Sequence, residues 1–158
     1  MEQLRKHRSK IQKFNENIQN ENITETSYLS CLYYANCENT NFSIPNKVVK
    51  VFIENCKNCT FNIHHCISPI EIVNCDYLQV RIYNGNFIQI DLSKVVLIEI
   101  IDIKNDFFVV YCKVWDIIIN LPDKNKNYNL YNDYFGEQFK TSIFNTPIRF
   151  ITERFNLF

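Results

Sequence analysis

The side chains best able to do chemistry are seven cysteines and three histidines. Their densest grouping is Cys56-Lys57-Asn58-Cys59 followed by His64-His65-Cys66. Thiolates and imidazoles at that spacing suit a tetrahedral zinc site, and a thiol next to an imidazole, as in His65-Cys66, is half of a nucleophile–base pair. The carboxylates Glu54, Glu71, Asp91, Glu99, Asp102 and Asp116 form a second resource, because paired acids can cleave glycosidic bonds. Glycine occurs only at Gly85 and Gly136, which excludes a P-loop or a GxGxxG turn. Which chemistry survives depends on the elements that carry these residues.

A repeat carries them. The phrases Asn36-Cys37-Glu38-Asn39, Asn55-Cys56-Lys57-Asn58 and Asn74-Cys75-Asp76-Tyr77 share one register. With the cysteine as position zero, the series continues through Ser93 and Cys112, in steps of 19, 19, 18 and 19 residues. Five residues earlier stand Leu32, Val51, Ile70, Ile88 and Phe107, and three earlier Tyr34, Ile53, Ile72, Ile90 and Val109. Three later come Thr40, Cys59, Leu78, Val96 and Trp115, and five later Phe42, Phe61, Val80, Ile98 and Ile117. Seven later come Ile44, Ile63, Ile82, Ile100 and Ile119. Alternation on both sides of a bend is the pattern of two strands, and asparagine tolerates the left-handed backbone that the bend requires. A hairpin meander shares this pattern, but only a solenoid stacks like on like about 4.8 Å apart. The expected fold is all-β, a right-handed parallel β-helix of five to six coils.

The register recasts the candidate chemistry. Cys56 and Cys59 fall at inward positions, where small buried thiols are ordinary core residues, and the carboxylates scatter as surface charge. No metal, cofactor or catalytic residue is expected, and the chain reads as a binding protein, not an enzyme. Lys plus Arg and Asp plus Glu are both 17, so no net field favours nucleic acid or a membrane. Five of the cations (Arg5, Lys6, Arg8, Lys10, Lys13) crowd into residues 1–13; residues 1–27 read as a tail or a cap, helix-compatible, ahead of a domain at 28–158. The opening Met1–His7 lacks an apolar stretch, from which free thiols and a cytoplasmic location are expected. Beyond the coils, 138–144 and 148–152 flank Asn145-Thr146-Pro147 as a β-hairpin. Leu97 and Ile118 point outward on one face, and Tyr33, Phe52 and Phe108 on the other; apolar columns of this kind call for a cover.

The segments Lys50–Phe61 and Ile70–Val80, with their Asn-Cys bends, and above all Glu137-Gln138-Phe139-Lys140-Thr141, resemble the C-terminal β-helix domain of cyclase-associated proteins, the actin-monomer regulators. The resemblance covers residues 14–155. Tubulin-binding cofactor C and its relatives share the Asn-Cys bend and act as GTPase activators through an arginine. The corresponding segment here, His65-Cys66-Ile67-Ser68-Pro69-Ile70, has none, which disfavours the alternative of a cofactor C-like activator or folding factor. A carbohydrate-active enzyme is disfavoured by the short solenoid.

The resemblance implies an actin-monomer binder that promotes nucleotide exchange on ADP-actin and so regulates filament turnover. It further implies a homodimer made by exchanging the hairpin 137–158. The interface would hold Glu137, Gln138, Phe139, Lys140, Thr141, Ile143, Phe150 and Ile151, with Phe139, Ile143, Phe150 and Ile151 buried. The expected actin contacts are the outward ladder Thr60, Asn62, Gln79 and Arg81 beside Lys57, the terminal cations Lys140, Arg149 and Arg154, and the apolar Phe155 and Phe158. Gly136 stands where the family usually has proline.

Overall fold

The computed structural model describes residues 10–14, 20–22, 31–103, 106–132 and 137–155, with backbone alone at 10–14, 20–22 and 131–132. Two parallel sheets face each other. One is built from β1 (Lys10–Phe14), β3 (Cys31–Ala35), β5 (Lys50–Glu54), β7 (Ile70–Val73), β9 (Phe87–Asp91) and β11 (Phe107–Cys112). The other is built from β2 (Asn20–Asn22), β4 (Asn41–Val48), β6 (Lys57–Cys66), β8 (Asp76–Asn84), β10 (Lys94–Ile100) and β12 (Val114–Leu121). The chain alternates between the sheets, so consecutive strands make a coil and each coil pairs with the next in parallel. This is the expected β-solenoid. Within the stretch read as tail or cap, β1 and β2 form a short first coil on which five fuller ones stack.

The inward residues of the odd strands (Leu32 and Tyr34, Val51 and Ile53, Ile70 and Ile72, Ile88 and Ile90, Val109 and Tyr111) meet those of the even strands across a core sealed from water. Phe42, Phe61 and Tyr34 form its aromatic end, with Phe42 and Phe61 stacked at 4.9 Å and Tyr34 within 5.0 Å of both rings.

The bend between sheets needs two left-handed residues per coil. The first column is Asn36, Asn55, Asn74, Leu92 and Lys113, the second Asn39, Asn58, Tyr77, Val95 and Asp116, all with φ between 52° and 57°. Two of the stacked asparagine pairs also ladder through their side chains: Asn58 Nδ2 donates to Asn39 Oδ1 at 2.6 Å and Asn74 Nδ2 to Asn55 Oδ1 at 2.5 Å. Cys37, Cys56, Cys75 and Ser93 sit beneath, fully buried, and the Cys75 amide donates to Ser93 Oγ at 3.0 Å.

The last coil departs from the expected register. Lys94 pairs with Trp115 and Val96 with Ile117, so position zero is Val114, not Cys112. Trp115, expected inside, is 45% exposed, and Cys112 ends β11 on the outer face, half-buried. The column of isoleucines ends in Leu121, with Ile119 one step earlier beside Ile98. The extra residues lie between β10 and β11. Within the strands a slip of two keeps side chains on their own face and leaves the alternation intact, so the sequence pattern did not reveal it; only at the bend do Cys112 and Trp115 change sides.

The far end is closed by antiparallel strands. β13 (Lys126–Asn132) follows a 3-10 turn at Pro122–Lys124 and pairs with β12; β14 (Phe139–Asn145) pairs with β11, and β15 (Ile148–Arg154) with β14. The expected hairpin is therefore β14–β15, seated on the chain's own β11. Tyr128 stacks on Phe150 at 4.7 Å across this end.

Asn55 serves both the left-handed bend and the ladder. Asn55→Ala is expected to cost about 1–2 kcal/mol of folding stability, and Asn55→Gly, which relieves the backbone but drops the ladder bond, clearly less. Urea unfolding of the three proteins measures the order.

Candidate functional site

Outward residues of the stack form two faces, one per sheet, and the residues expected to bind actin divide between them. On the even-strand sheet, Thr60 pairs with Gln79 and Asn62 with Arg81, next to Leu97 and Glu99. Arg81 Nη2 bonds Glu99 Oε1 at 3.1 Å, Gln79 Nε2 donates to the same oxygen, and Glu99 is almost sealed from water. The hydrogen bond to Glu99 holds the Arg81 guanidinium above its ordinary range. This ladder is largely satisfied within itself. Lys57, exposed at the start of β6, lies apart from it beside Asp76.

On the odd-strand sheet the hairpin extends a surface of aromatics and cations. Phe87 stacks on Phe108 at 4.3 Å, and the Lys140 ammonium lies 4.7 Å from the Phe108 ring centre and 6.0 Å from that of Phe155. A cation over a ring face is attracted by the ring quadrupole. Arg149 lies over Phe144 at 4.8 Å, and Arg154 Nε is 3.5 Å from Glu137 Oε2. Farther along the face, Tyr33 and Phe52 pack at 5.2 Å, Lys50 bonds Glu71 at 2.8 Å, and the Tyr33 hydroxyl donates to Glu54. Lys140, Arg149 and Phe155 thus lie on the outer face of the hairpin, while Arg154, paired with Phe139, belongs to its other face at the strand end. Lys57, Thr60, Asn62, Gln79 and Arg81 belong to the opposite sheet, and Phe158 lies outside the described residues. Phe87 was missed; its outward place one residue before Ile88 was the available signal.

In the hairpin, Thr141 and Ile143 are fully buried, with the Tyr111 hydroxyl 3.2 Å from Thr141 Oγ1. Gln138, Phe139, Lys140 and Phe150 are partly covered. Ile151, expected to be buried, points outward and is 45% exposed in the single chain, and Glu137 is exposed as well.

Five of the seven thiols sit in the core. Burial pushes Cys66 up to about 11. For Cys56 a hydrogen bond with Cys37 pulls downward, but one with Cys75 and burial outweigh it, and the thiol is pushed up to about 12. Among the described residues no three His, Cys, Asp or Glu side chains converge as metal ligands would. Three of the acids are occupied separately, Glu54 by Tyr33, Glu71 by Lys50 and Glu99 by Gln79 and Arg81.

The fold and its faces define a class: a parallel β-solenoid, closed by a hairpin, whose useful surface is side chains on the outside of stacked strands. The family described as adenylate cyclase associated (CAP) C terminal matches residues 2–156, and the chain belongs to that family, known for actin binding. Among solved structures, it is similar to the cyclase-associated protein from Cryptosporidium parvum, at 23% identity and a TM-score of 0.62, covering 90% of this chain and 87% of that one. At that identity the likeness speaks for the fold. No curated protein matches.

The thiols give a pH prediction. Free thiols titrate near pH 8.5, so folding holds Cys56 and Cys66 protonated beyond that point. Their contribution is complete below about pH 8.5 and is lost as pH rises toward 11–12. Unfolding midpoints should fall across this alkaline window. At neutral pH a thiol-reactive probe should label half-buried Cys31 and Cys112 first, with the five buried cysteines protected until unfolding.

Proposed function

We propose that this protein binds monomeric ADP-actin and accelerates nucleotide exchange, using the outer face of the hairpin and of β9 and β11. Family membership supports the partner. The observation that carries the surface is the group formed by Lys140, Phe108, Phe87 and Phe155, a cation set among half-exposed rings at the closed end of the stack. Rings of this kind supply contact area with little entropy to lose, and peripheral cations orient an acidic partner. Release of a nucleotide held by the partner requires only that this face bind the open state of the partner's cleft more tightly than the closed one. A tenfold preference shifts that equilibrium tenfold. Such work belongs in the cytoplasm, where actin is.

A homodimer belongs to the same reading. β14 completes β11 and is itself completed by β15, so a hairpin exchanged between two chains would make the same backbone bonds in trans. The free side of β15 and the exposed Ile151 are then available to the second subunit.

Fluorescent-nucleotide release from ADP-actin tests the activity. The natural protein should accelerate release, and Lys140→Ala/Arg149→Ala/Arg154→Ala, which removes the two outer-face cations and the one at the strand end, should need about tenfold more protein for the same rate, from roughly 0.5 kcal/mol per cation. No acceleration by the natural protein refutes the function; equal acceleration by the triple variant refutes only the surface.

Light scattering at micromolar concentration tests the assembly. It should return about twice the 18.9 kDa of the chain, and a monomer overturns the exchange. Removal of residues 137–158 should bare the β11 edge and produce aggregates.

A further inference from the structure

Eight large apolar side chains are exposed among the described residues, and five of them belong to the fourth to sixth coils, at the bend or on the strand just after it. They are Tyr77 (55% exposed), Leu92 (50%), Val95 (37%), Trp115 (45%) and Ile118 (38%). Tyr77, Val95, Leu97 and Ile118 line a shallow groove of about 290 Å³ that crosses the strands, with Gln79 and Asp116 also on its walls.

The bend makes this arrangement unexpected. Tyr77, Leu92 and Val95 have φ of 57°, 53° and 53°. A left-handed backbone disfavours all three, and a β-branched valine most of all. The same two columns hold asparagine at 36, 39, 55, 58 and 74, in a chain with 22 asparagines. Neither backbone preference nor composition accounts for apolar residues here, and their side chains face water. Strain of this sort is found where a site requires it.

We propose that this groove docks an amphipathic helix of a partner protein, one with an apolar stripe flanked by a lysine or arginine. Three observations select that occupant. β8 and β10 are paired on both sides, by β6 and β12 and by each other, so no strand edge is open here and an added strand has nothing to bond. Recognition must run through side chains, and a helix satisfies its own backbone. Three coils at about 4.8 Å extend roughly 10 Å, which one helical stripe at i, i+4 and i+7 matches. Asp116 stands on the wall, exposed and with no ion-pair partner among the described residues, so the complementary charge comes from the partner. The groove lies away from the hairpin face assigned to actin.

The chain's single tryptophan, Trp115, adjoins Asp116 and reports occupancy. The full chain is titrated with a helical peptide of about 14 residues, built with a leucine stripe flanked by lysine, and with the same peptide carrying glutamate instead. The lysine peptide should shift Trp115 emission to the blue and bind at least about tenfold tighter than the glutamate peptide. Asp116→Asn should remove most of that preference. Tyr77→Asn/Val95→Asn should weaken the lysine peptide at least about tenfold while raising the melting temperature by about 2–4 °C, since strain is relieved. Ile118→Thr, which keeps strand propensity, should weaken binding as well. Equal binding of the two peptides by the natural protein overturns the proposal, and so does natural affinity in the Tyr77/Val95 and Ile118 variants.

Discussion

Each coil of this protein is held to the next by parallel backbone hydrogen bonds, and the spacing they impose governs everything else. At about 4.8 Å, a residue's nearest neighbours are its counterparts one coil before and after. Side chains that like their own kind are therefore favoured in each column. Ile63 stacks over Ile82 and Ile82 over Ile100 in the interior. Phe42 can stack on Phe61. Asparagine can donate to asparagine at the bend, so the residue that tolerates the left-handed backbone also satisfies its neighbour. The backbone bonds persist through the bend, as with Lys57 N to Cys37 O at 2.9 Å and Asp76 N to Cys56 O at 3.1 Å, so the stack is not interrupted between sheets.

The same spacing makes unlike columns informative on the outside. Polar side chains a coil apart reach one another, which is why Lys50 finds Glu71, and Arg81 and Gln79 find Glu99. Such ladders leave little for a partner to bind. What remains for recognition is the surface that the ladder does not absorb: rings with a cation among them near the hairpin, and the apolar bend of the later coils. Both lie toward the end closed by β13, β14 and β15, where antiparallel pairing replaces the parallel stack and the strict columnar rule lapses.

The proposed exchange activity reaches a nucleotide through another protein. Cys56 and Cys66 are buried and hard to ionise, and Glu54, Glu71 and Glu99 are each tied to a neighbour. Binding energy spent differently on two conformations of a partner is sufficient for exchange activity, and a rigid face is suited to it because little order must be acquired on binding.

The sequence by itself determined the solenoid, the two strands per coil, the inward residues of the earlier coils and the asparagine bends. Period-2 alternation and a repeat of 18 or 19 residues are local properties, written in the order of Leu32–Ile44, Val51–Ile63 and Ile70–Ile82. Glu137–Thr141 marked the hairpin and the family equally locally. Only the tertiary structure decided the register of the last coil, because a shift of two residues preserves the alternation within each strand and Trp115 and Ile117 look equally inward on paper. It also decided that Lys140 joins Phe87 and Phe108 while Arg81 faces the other way, and that Tyr77, Val95 and Ile118 line one groove. These are facts about which columns become neighbours when two sheets turn their backs on each other, and that depends on pairing between residues far apart in the chain.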